Sequence, residues 1–186
     1  MRKTLSILSG VLALVSYGPY DYAIIYKPHI QPIKATWIVW ALVNMVVLVG
    51  MYSKKAQNPQ IVFTTLGSII TLILVLWFGR AGWDTLHILC LGLGIFGIVL
   101  WKAFDDARFG ILMSLIVDFI GSVPTFQSIW VDPAREDGLA WMIAWFGSIC
   151  ACLAIPRRTL TDAAQPISFL VNHFITMYLL FIKPNM

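Results

Sequence analysis

Long apolar segments separated by short polar connections dominate the hydrophobic pattern of this chain. A helix needs about 20 mainly apolar residues to cross the hydrocarbon core of a membrane. Seven segments meet this length, at residues 4–26, 34–52, 60–79, 83–101, 109–131, 138–156 and 165–182. Every connection between them is too short to form a separate soluble domain. The pattern therefore predicts an all-α integral membrane protein with seven transmembrane helices.

Composition and charge agree with lipid as the solvent for much of the surface. Hydrophobic residues make up 59% of the chain and charged residues 12%, against about 45–50% and about 25% in soluble domains. The net charge is +4, but the basic residues occur in short pairs between apolar runs. That distribution is typical of a membrane topology signal rather than of a nucleic-acid-binding surface. The expected partner is the lipid bilayer, and no nucleic acid.

The distribution of lysine and arginine predicts the orientation of the chain. Seven spans place the termini on opposite sides of the membrane. The N-terminal side carries Arg2, Lys3, Lys54, Lys55, Lys102, Arg108, Arg157 and Arg158. The opposite side carries Lys27, Lys34, Arg80, Arg135 and Lys183. Because cytoplasmic loops are enriched in basic residues, a cytoplasmic N-terminus is favoured, in a plasma membrane such as the bacterial inner membrane.

The first apolar segment follows Arg2 and Lys3, and this beginning is also compatible with a secretory signal peptide. The segment lacks a small-x-small cleavage site before residues 17–20 and takes part in an internal repeat. A retained first helix is therefore favoured over a cleaved one.

A shift of 105 residues aligns the first three spans with the last three. Among the identical pairs are Pro19 with Pro124, Pro28 with Pro133, Trp40 with Trp145, and Gln60 with Gln165. The copies begin four spans apart, so both have the same orientation. The alternative is that any two apolar helices with prolines look alike. The repeat predicts a 3+1+3 parallel arrangement of two triple-helix bundles, with one bundle at 1–80, a linker helix at 81–104 and the second bundle at 105–186.

These residues resemble the PQ-loop/SWEET-like superfamily of small seven-helix membrane transporters, and most closely its uncharacterised bacterial members. The resemblance rests on Lys27-Pro28-His29 followed by residues 35–40, and on residues 118–125 followed by Trp130. The chain departs from the superfamily where the Pro-Gln pair reads Pro19-Tyr20 and Pro124-Thr125. The resemblance implies transport of a small solute, paired hinge prolines and a pocket asparagine in span 7.

Asp118 is the most informative candidate residue, because it places a carboxylate in the middle of span 5. An acid in hydrocarbon costs several kcal/mol unless it is paired, hydrated or protonated, so it is a functional candidate by default. Its position suits proton coupling or direct contact with a solute; a structural hydrogen bond is the alternative. Proline within a span bends the helix, so Pro19 and Pro124 are candidate hinges, with static kinks as the alternative.

Amides and aromatic side chains complete the candidate site. Asn44 and Asn172 lie deep in spans 2 and 7, where amides hydrogen-bond across helices and also orient polar solutes. His173 is suited to binding or relaying protons, although a core histidine is the more frequent outcome. Trp40 and Trp145 are related by the repeat and deep enough to stack on a solute. Trp37 lies nearer a span end, which predicts a membrane anchor.

Other motifs point away from enzyme chemistry. Residues 92–97 match G-x-G-x-x-G, but they lie inside a span with no preceding strand, so helix packing explains these glycines better. The sequence has no nucleophile–base pairing and no metal-ligand spacing, and its cysteines lie in apolar runs. No enzyme activity, catalytic residue, cofactor or metal is expected.

Two functions remain open from the sequence. The first is a small secondary transporter of a small polar solute, alternating access about the proline kinks and coupled to protons through Asp118. The second is a membrane-embedded accessory or structural subunit of a larger complex; a homo-oligomer is compatible with either. A carrier needs a polar cavity near Asp118 and Asn172, whereas a structural subunit should be packed solid there.

Overall fold

The computed structural model describes residues 1–83 and 85–183 and is almost entirely helical, which confirms the all-α prediction. The α-helices are α1 (Arg2–Tyr26), α2 (Lys34–Ser53), α3 (Pro59–Phe78), α4 (Thr85–Phe104), α5 (Ala107–Gly121), α6 (Val123–Val131), α7 (Gly138–Ala154) and α8 (Leu160–Met177). A 3-10 turn at Pro133–Arg135 precedes α7, and a π-helical turn at Tyr178–Ile182 extends α8. Asp84, at the start of the predicted span 83–101, and residues 184–186 lie outside the described residues.

Five helical segments in the described part of the chain are both long and apolar enough to cross a membrane. They are α2, α3, α4, the α5–α6 pair, and α8 with its π-helical turn. Large apolar side chains remain exposed on their outer faces, as Trp77 and Ile95 show. Such surface is stable in lipid rather than in water. These segments indicate an integral membrane protein.

The remaining two helices also coincide with predicted spans, but they differ from the other five. α7 is apolar and has 17 residues, so it is shorter than the others. α1 has 25 residues and contains Ser9, Ser16 and Asp21. Both helices pack against each other along their length. Gly147 permits this approach, since a Cβ built there would lie 3.3 Å from the carbonyl oxygen of Ser9.

We call α1, α2 and α3 the first helix group and α5, α6, α7 and α8 the second; contacts between the two groups are as extensive as contacts within them. α3 packs between α1 and α2, and α8 packs against both α7 and α5. The groups meet where α1 contacts α7 and where α2 contacts α5. α4 packs mainly on α5, and Gly97 lies in that contact. A Cβ added at Gly97 would lie 2.5 Å from Met113 Cβ. Close packing therefore accounts for Gly97, whereas Gly92 and Gly94 face open space.

The candidate hinge prolines occupy different backbone settings. Pro19 lies inside the uninterrupted helix α1. Pro124 lies in the first turn of α6. Backbone N–H groups in a first turn have no acceptor within the helix, so proline removes no helical hydrogen bond there. Ser122 separates α5 from α6, and its backbone N–H and its hydroxyl both donate to the carbonyl of Asp118, at 3.1 and 2.7 Å. The α5–α6 pair therefore has a break where α1, with which the 105-residue shift aligns it, is a continuous helix.

Candidate functional site

A cavity of about 90 Å³ lies between the two helix groups, bounded by α1, α2, α3, α5, α7 and α8. Its polar lining includes Asn44, Gln60, Ser68, Asp118, Asn172 and His173. Its aromatic lining is Tyr17, Tyr20, Trp37, Trp40, Trp141 and Phe169. The volume is well below the roughly 300 Å³ at which drug-sized pockets begin. The cavity therefore suits a small solute.

Asp118 and Asn172, the two leading candidates from the sequence, are brought together in this cavity. Asn172 Nδ2 donates to Asp118 Oδ2 at 3.3 Å and to Ser122 Oγ at 2.7 Å. Asp118 is 6% exposed and Asn172 is 7% exposed. The carboxylate is thus buried beside a neutral amide, and none of the described residues that line the cavity is a lysine or an arginine.

A chain of hydrogen bonds closes the cavity toward the N-terminal face. We call its members, Asn58, Gln60, Ser148 and Gln165, the amide layer. Asn58 Nδ2 donates to Gln165 Oε1 at 2.8 Å, and Gln165 Nε2 donates to Gln60 Oε1 at 3.1 Å. Gln60 Nε2 donates to Ser148 Oγ at 2.9 Å, and Ser148 Oγ lies 2.8 Å from His173 Nδ1. His173 is therefore held by a core hydrogen bond while it lines the cavity.

The amide layer separates the cavity from a second cleft of about 480 Å³ on the N-terminal face. Gln60 lines the inner cavity, and Asn58 lines the outer cleft. The cleft also contains basic side chains at Arg2, Lys3, Lys55 and Arg157. Sequence comparison of the two repeats aligned Gln60 with Gln165, but it gave no reason to expect these side chains to bond to each other.

Aromatic rings bound the other part of the cavity and form what we call the aromatic layer (Tyr20, Trp37, Trp40 and Trp141). Ring centroids are 5.3 Å apart for Tyr20 and Trp37, 5.3 Å for Trp37 and Trp40, and 6.2 Å for Trp40 and Trp141. These spacings and the mostly edge-to-face angles are those of stabilising aromatic pairs. Trp40 is placed as predicted, on the cavity.

Two tryptophans differ from the sequence predictions. Trp37 is 6% exposed and lines the cavity, so the predicted membrane-anchor role is wrong. Trp145 does not line the cavity; its ring pairs with Phe146 at 5.4 Å. Trp141, one turn earlier on α7, takes the place opposite Trp40.

Glu136, in the connection before α7, binds the aromatic layer and was not anticipated. Its Oε2 accepts hydrogen bonds from Tyr20 Oη at 2.9 Å and from Trp141 Nε1 at 3.0 Å. Burial raises the pKa of the Glu136 carboxyl to about 7, although both hydrogen bonds act in the opposite direction. The neighbouring Asp137 pairs with Lys27 at 2.7 Å. This loop thus ties α1 to α7 at the aromatic end.

Some polar atoms of the site have no partner. Among the described residues, the buried side-chain atoms without a hydrogen bond are Trp40 Nε1, Asn44 Oδ1 and Trp145 Nε1. Unpaired buried polar atoms are costly, about 1–3 kcal/mol each, so each needs an explanation. Two of the three belong to residues that line the cavity, Trp40 and Asn44.

Asp21, the acidic residue of α1, was also not anticipated from the sequence. Thr71 Oγ1 on α3 donates to Asp21 Oδ1 at 2.6 Å. An acid six residues before a lysine at a span end is easily assigned to the connection, so only the helix contact reveals its role. Asp21 joins α1 to α3 and does not line the cavity.

Equivalent positions of the two repeats carry complementary side-chain sizes. In the first copy Tyr17 packs against Gly67, where an added Cβ would lie 2.2 Å from the tyrosine ring. The positions 105 residues later are Ser122 and Asn172, which are joined by the 2.7 Å hydrogen bond. The large Tyr17 therefore faces the small Gly67, whereas at the aligned positions the small Ser122 faces the larger Asn172. The cavity is asymmetric as a result.

No group of three or more histidine, cysteine or acidic side chains in residues 1–83 and 85–183 is arranged to hold a metal ion. Compared with known proteins, the chain matches no family model, and neither the curated proteins nor the solved structures contain a match.

Proposed function

We propose that this chain is a small secondary carrier that moves a small polar solute across the membrane. The observation that carries the proposal is the cavity at Asp118: a buried carboxylate without a cationic partner faces space between two helix groups. Intramembrane acids that face a cavity mark substrate and ion pathways in membrane proteins. The alternative, an accessory subunit of a larger complex, gives no reason to keep such a cavity open.

The proposal includes a seven-span arrangement of two parallel three-helix repeats joined by α4. Its support is the pattern of helix contacts. When α1, α2 and α3 are exchanged with α5, α7 and α8, each contacting pair among them becomes another contacting pair. The α1–α3 and α2–α3 contacts then correspond to α5–α8 and α7–α8, and α1–α7 corresponds to α2–α5. The Gln60–Gln165 bond joins equivalent residues, as expected near a two-fold axis. Parallel repeats of this kind are a known carrier architecture.

Alternating access would operate through the two layers that bound the cavity. Each layer joins the two helix groups: the amide layer through Gln60 and Gln165, and the aromatic end through Tyr20 and Glu136. Each is made of a few hydrogen bonds and ring contacts, so one can open while the other holds. Bending at Pro19 and at the Ser122–Pro124 break would allow the groups to rock.

Asp118 would couple transport to protons. A buried carboxylate can be neutralised by a proton when the cavity has no other cation. The Asn172 amide can donate to the carboxylate or accept from the protonated acid after rotation. The basic residues of the N-terminal cleft agree with a cytoplasmic N-terminus.

Uptake by purified protein in proteoliposomes tests the proposal. Sugars, amino acids, amines and vitamins are screened with and without a pH gradient, using the wild type, Asp118→Asn, and Asp105→Asn as the matched control. Asp105 is an exposed connecting residue with a positive φ of 47°, which asparagine tolerates well. We expect uptake of at least one solute that Asp118→Asn loses and Asp105→Asn keeps. No uptake, with fixed-ratio co-purification of other membrane proteins, would favour the accessory subunit.

A further inference from the structure

We propose that the cavity selects a small organic cation that carries a hydroxyl or a similar hydrogen-bonding group next to its charged end. The transport of such a cation rests on the proposed carrier function, whereas its binding does not. Three independent features of the cavity lead to this substrate class: its charge, its aromatic wall and its unpaired polar atoms.

The charge of the cavity favours a cation. Asp118 is the acidic residue that lines it, and the other lining residues include no lysine or arginine. A buried carboxylate with a neutral amide as its partner is costly to keep ionised. A ligand with one positive charge would compensate the carboxylate directly, whereas an anionic solute would be repelled by it.

The aromatic wall favours a cation with an alkylated, weakly hydrated head. Rings from three helices meet here: Tyr17 and Tyr20 on α1, Trp37 and Trp40 on α2, and Trp141 on α7. Tyrosine and tryptophan faces attract ammonium groups through their quadrupoles, and cages of such rings bind quaternary ammonium ligands. A strongly hydrated metal cation would gain little from such a wall, because it takes oxygen ligands.

The unpaired polar atoms favour a hydroxyl on the ligand. Trp40 Nε1 is a donor without an acceptor, and Asn44 Oδ1 is an acceptor without a donor, among the described residues. They belong to one face of α2, one turn apart, and both residues line the cavity. A hydroxyl group can accept from the first atom and donate to the second. A ligand hydroxyl that reached both atoms would give each of them a partner.

Acidic and basic side chains lie together near the aromatic end of the cavity. Glu136 binds Tyr20 and Trp141, and Asp137 lies next to it in the chain. Lys27 offsets the charge of Asp137, and Arg80 is close enough to act electrostatically on Glu136. The approach is therefore balanced in charge, and the selection for cations occurs inside the cavity at Asp118.

Equilibrium dialysis of the purified protein against radiolabelled choline tests the inference. Choline has the quaternary ammonium head and the hydroxyl required, and 3,3-dimethylbutan-1-ol has the same shape without the charge. We expect saturable choline binding, with the neutral analogue competing at least about tenfold more weakly, since a buried charge pair contributes more than about 1.4 kcal/mol. Equal competition by the neutral analogue would overturn the inference.

Two matched substitutions locate the site. Asp118→Asn keeps the side-chain shape and should reduce the preference for choline over its neutral analogue to what the aromatic wall alone provides. Trp40→Leu should weaken choline binding about threefold to thirtyfold, whereas Trp145→Leu, outside the cavity lining, should not. Thermal melting of each variant verifies folding. Equal weakening by Trp40→Leu and Trp145→Leu, or an unchanged preference in Asp118→Asn, would contradict the proposed site.

Binding and uptake together separate this inference from the carrier proposal. Choline binding with no choline uptake into proteoliposomes would support the cation site and contradict the carrier. Uptake of a neutral solute by a protein that does not bind choline would support the carrier and contradict the cation site.

Discussion

Substitution of Gly67 by alanine should destabilise the protein and narrow its cavity. The added Cβ would lie 2.2 and 2.3 Å from two ring carbons of Tyr17, and 2.7 Å from the carbon that attaches the ring. Contacts this short involve the base of the ring, so rotation of its far end does not relieve them. Tyr17 must move away from α3, and it lines the cavity.

The magnitude follows from three contributions. Overpacking a well-packed site costs about 1–3 kcal/mol. Displacement of Tyr17 breaks its 3.1 Å hydrogen bond to the carbonyl of Thr64, which costs about 0.5–1.5 kcal/mol. Alanine in a helix regains about 1 kcal/mol relative to glycine. The net loss in the free energy of unfolding is therefore about 0.5–3.5 kcal/mol.

Thermal unfolding of the purified protein in detergent measures this loss, with Gly94→Ala as the matched control. Gly94 also lies inside a helix, but a Cβ there meets no atom within 4 Å. We expect Gly67→Ala to melt several degrees below the wild type and Gly94→Ala to melt at or above it. A Gly67→Ala variant that gains as much stability as Gly94→Ala would refute the packing of Tyr17 against α3.

Two further predictions concern the layers that bound the cavity. Burial raises the pKa of Glu136 to about 7, above its value in the unfolded chain. Folding therefore favours the protonated acid, and stability should fall as the pH rises from about 4.5 through 7. Glu136→Gln should flatten the pH dependence of the melting temperature, and an unchanged slope would contradict this. Gln165→Leu leaves Gln60 Oε1 and Asn58 Nδ2 without their partner and should lower the free energy of unfolding by about 1–3 kcal/mol. In a double-mutant cycle, Gln60→Leu should cost less in the Gln165→Leu background than in the wild type. Strict additivity of the two substitutions would argue against the bond between Gln60 and Gln165.

Much of the fold could be predicted from the sequence because lipid imposes a length and a composition on each helix. Asn58, Asp106, Asp137 and Thr159 then mark helix starts, where their side chains accept backbone N–H groups. The pairing of Asp118 with Asn172 agrees with the prediction that both belong to one site, since buried polar groups in apolar surroundings need partners.

The exact lining of the cavity could not be predicted, because it depends on how each helix is placed relative to its neighbours. Trp141 and Trp145 lie one turn apart, about 6 Å along α7 and nearly on one face. Sequence places both inside the span, and only the contact with Trp40 shows that Trp141 is the one in the site. Glu136 escaped prediction because its role depends on a loop packing back onto Tyr20.

Accessibility of the cavity from the two sides of the membrane tests the carrier proposal most directly. Ala144 lines the cavity and makes no side-chain hydrogen bond. In a protein whose native cysteines Cys90, Cys150 and Cys152 are replaced by alanine, Ala144→Cys is exposed to an impermeant trimethylammonium thiol reagent. The reagent is applied separately to each face of sealed vesicles. Cysteines at the exposed positions Gln57 and Ala134 serve as controls for the two faces.

Alternating access predicts that Cys at position 144 reacts from either face, that each control reacts from its own face alone, and that choline slows the reaction at position 144 only. A cysteine at position 144 that reacts from neither face, or from one face only, while both controls react normally, would contradict the carrier proposal.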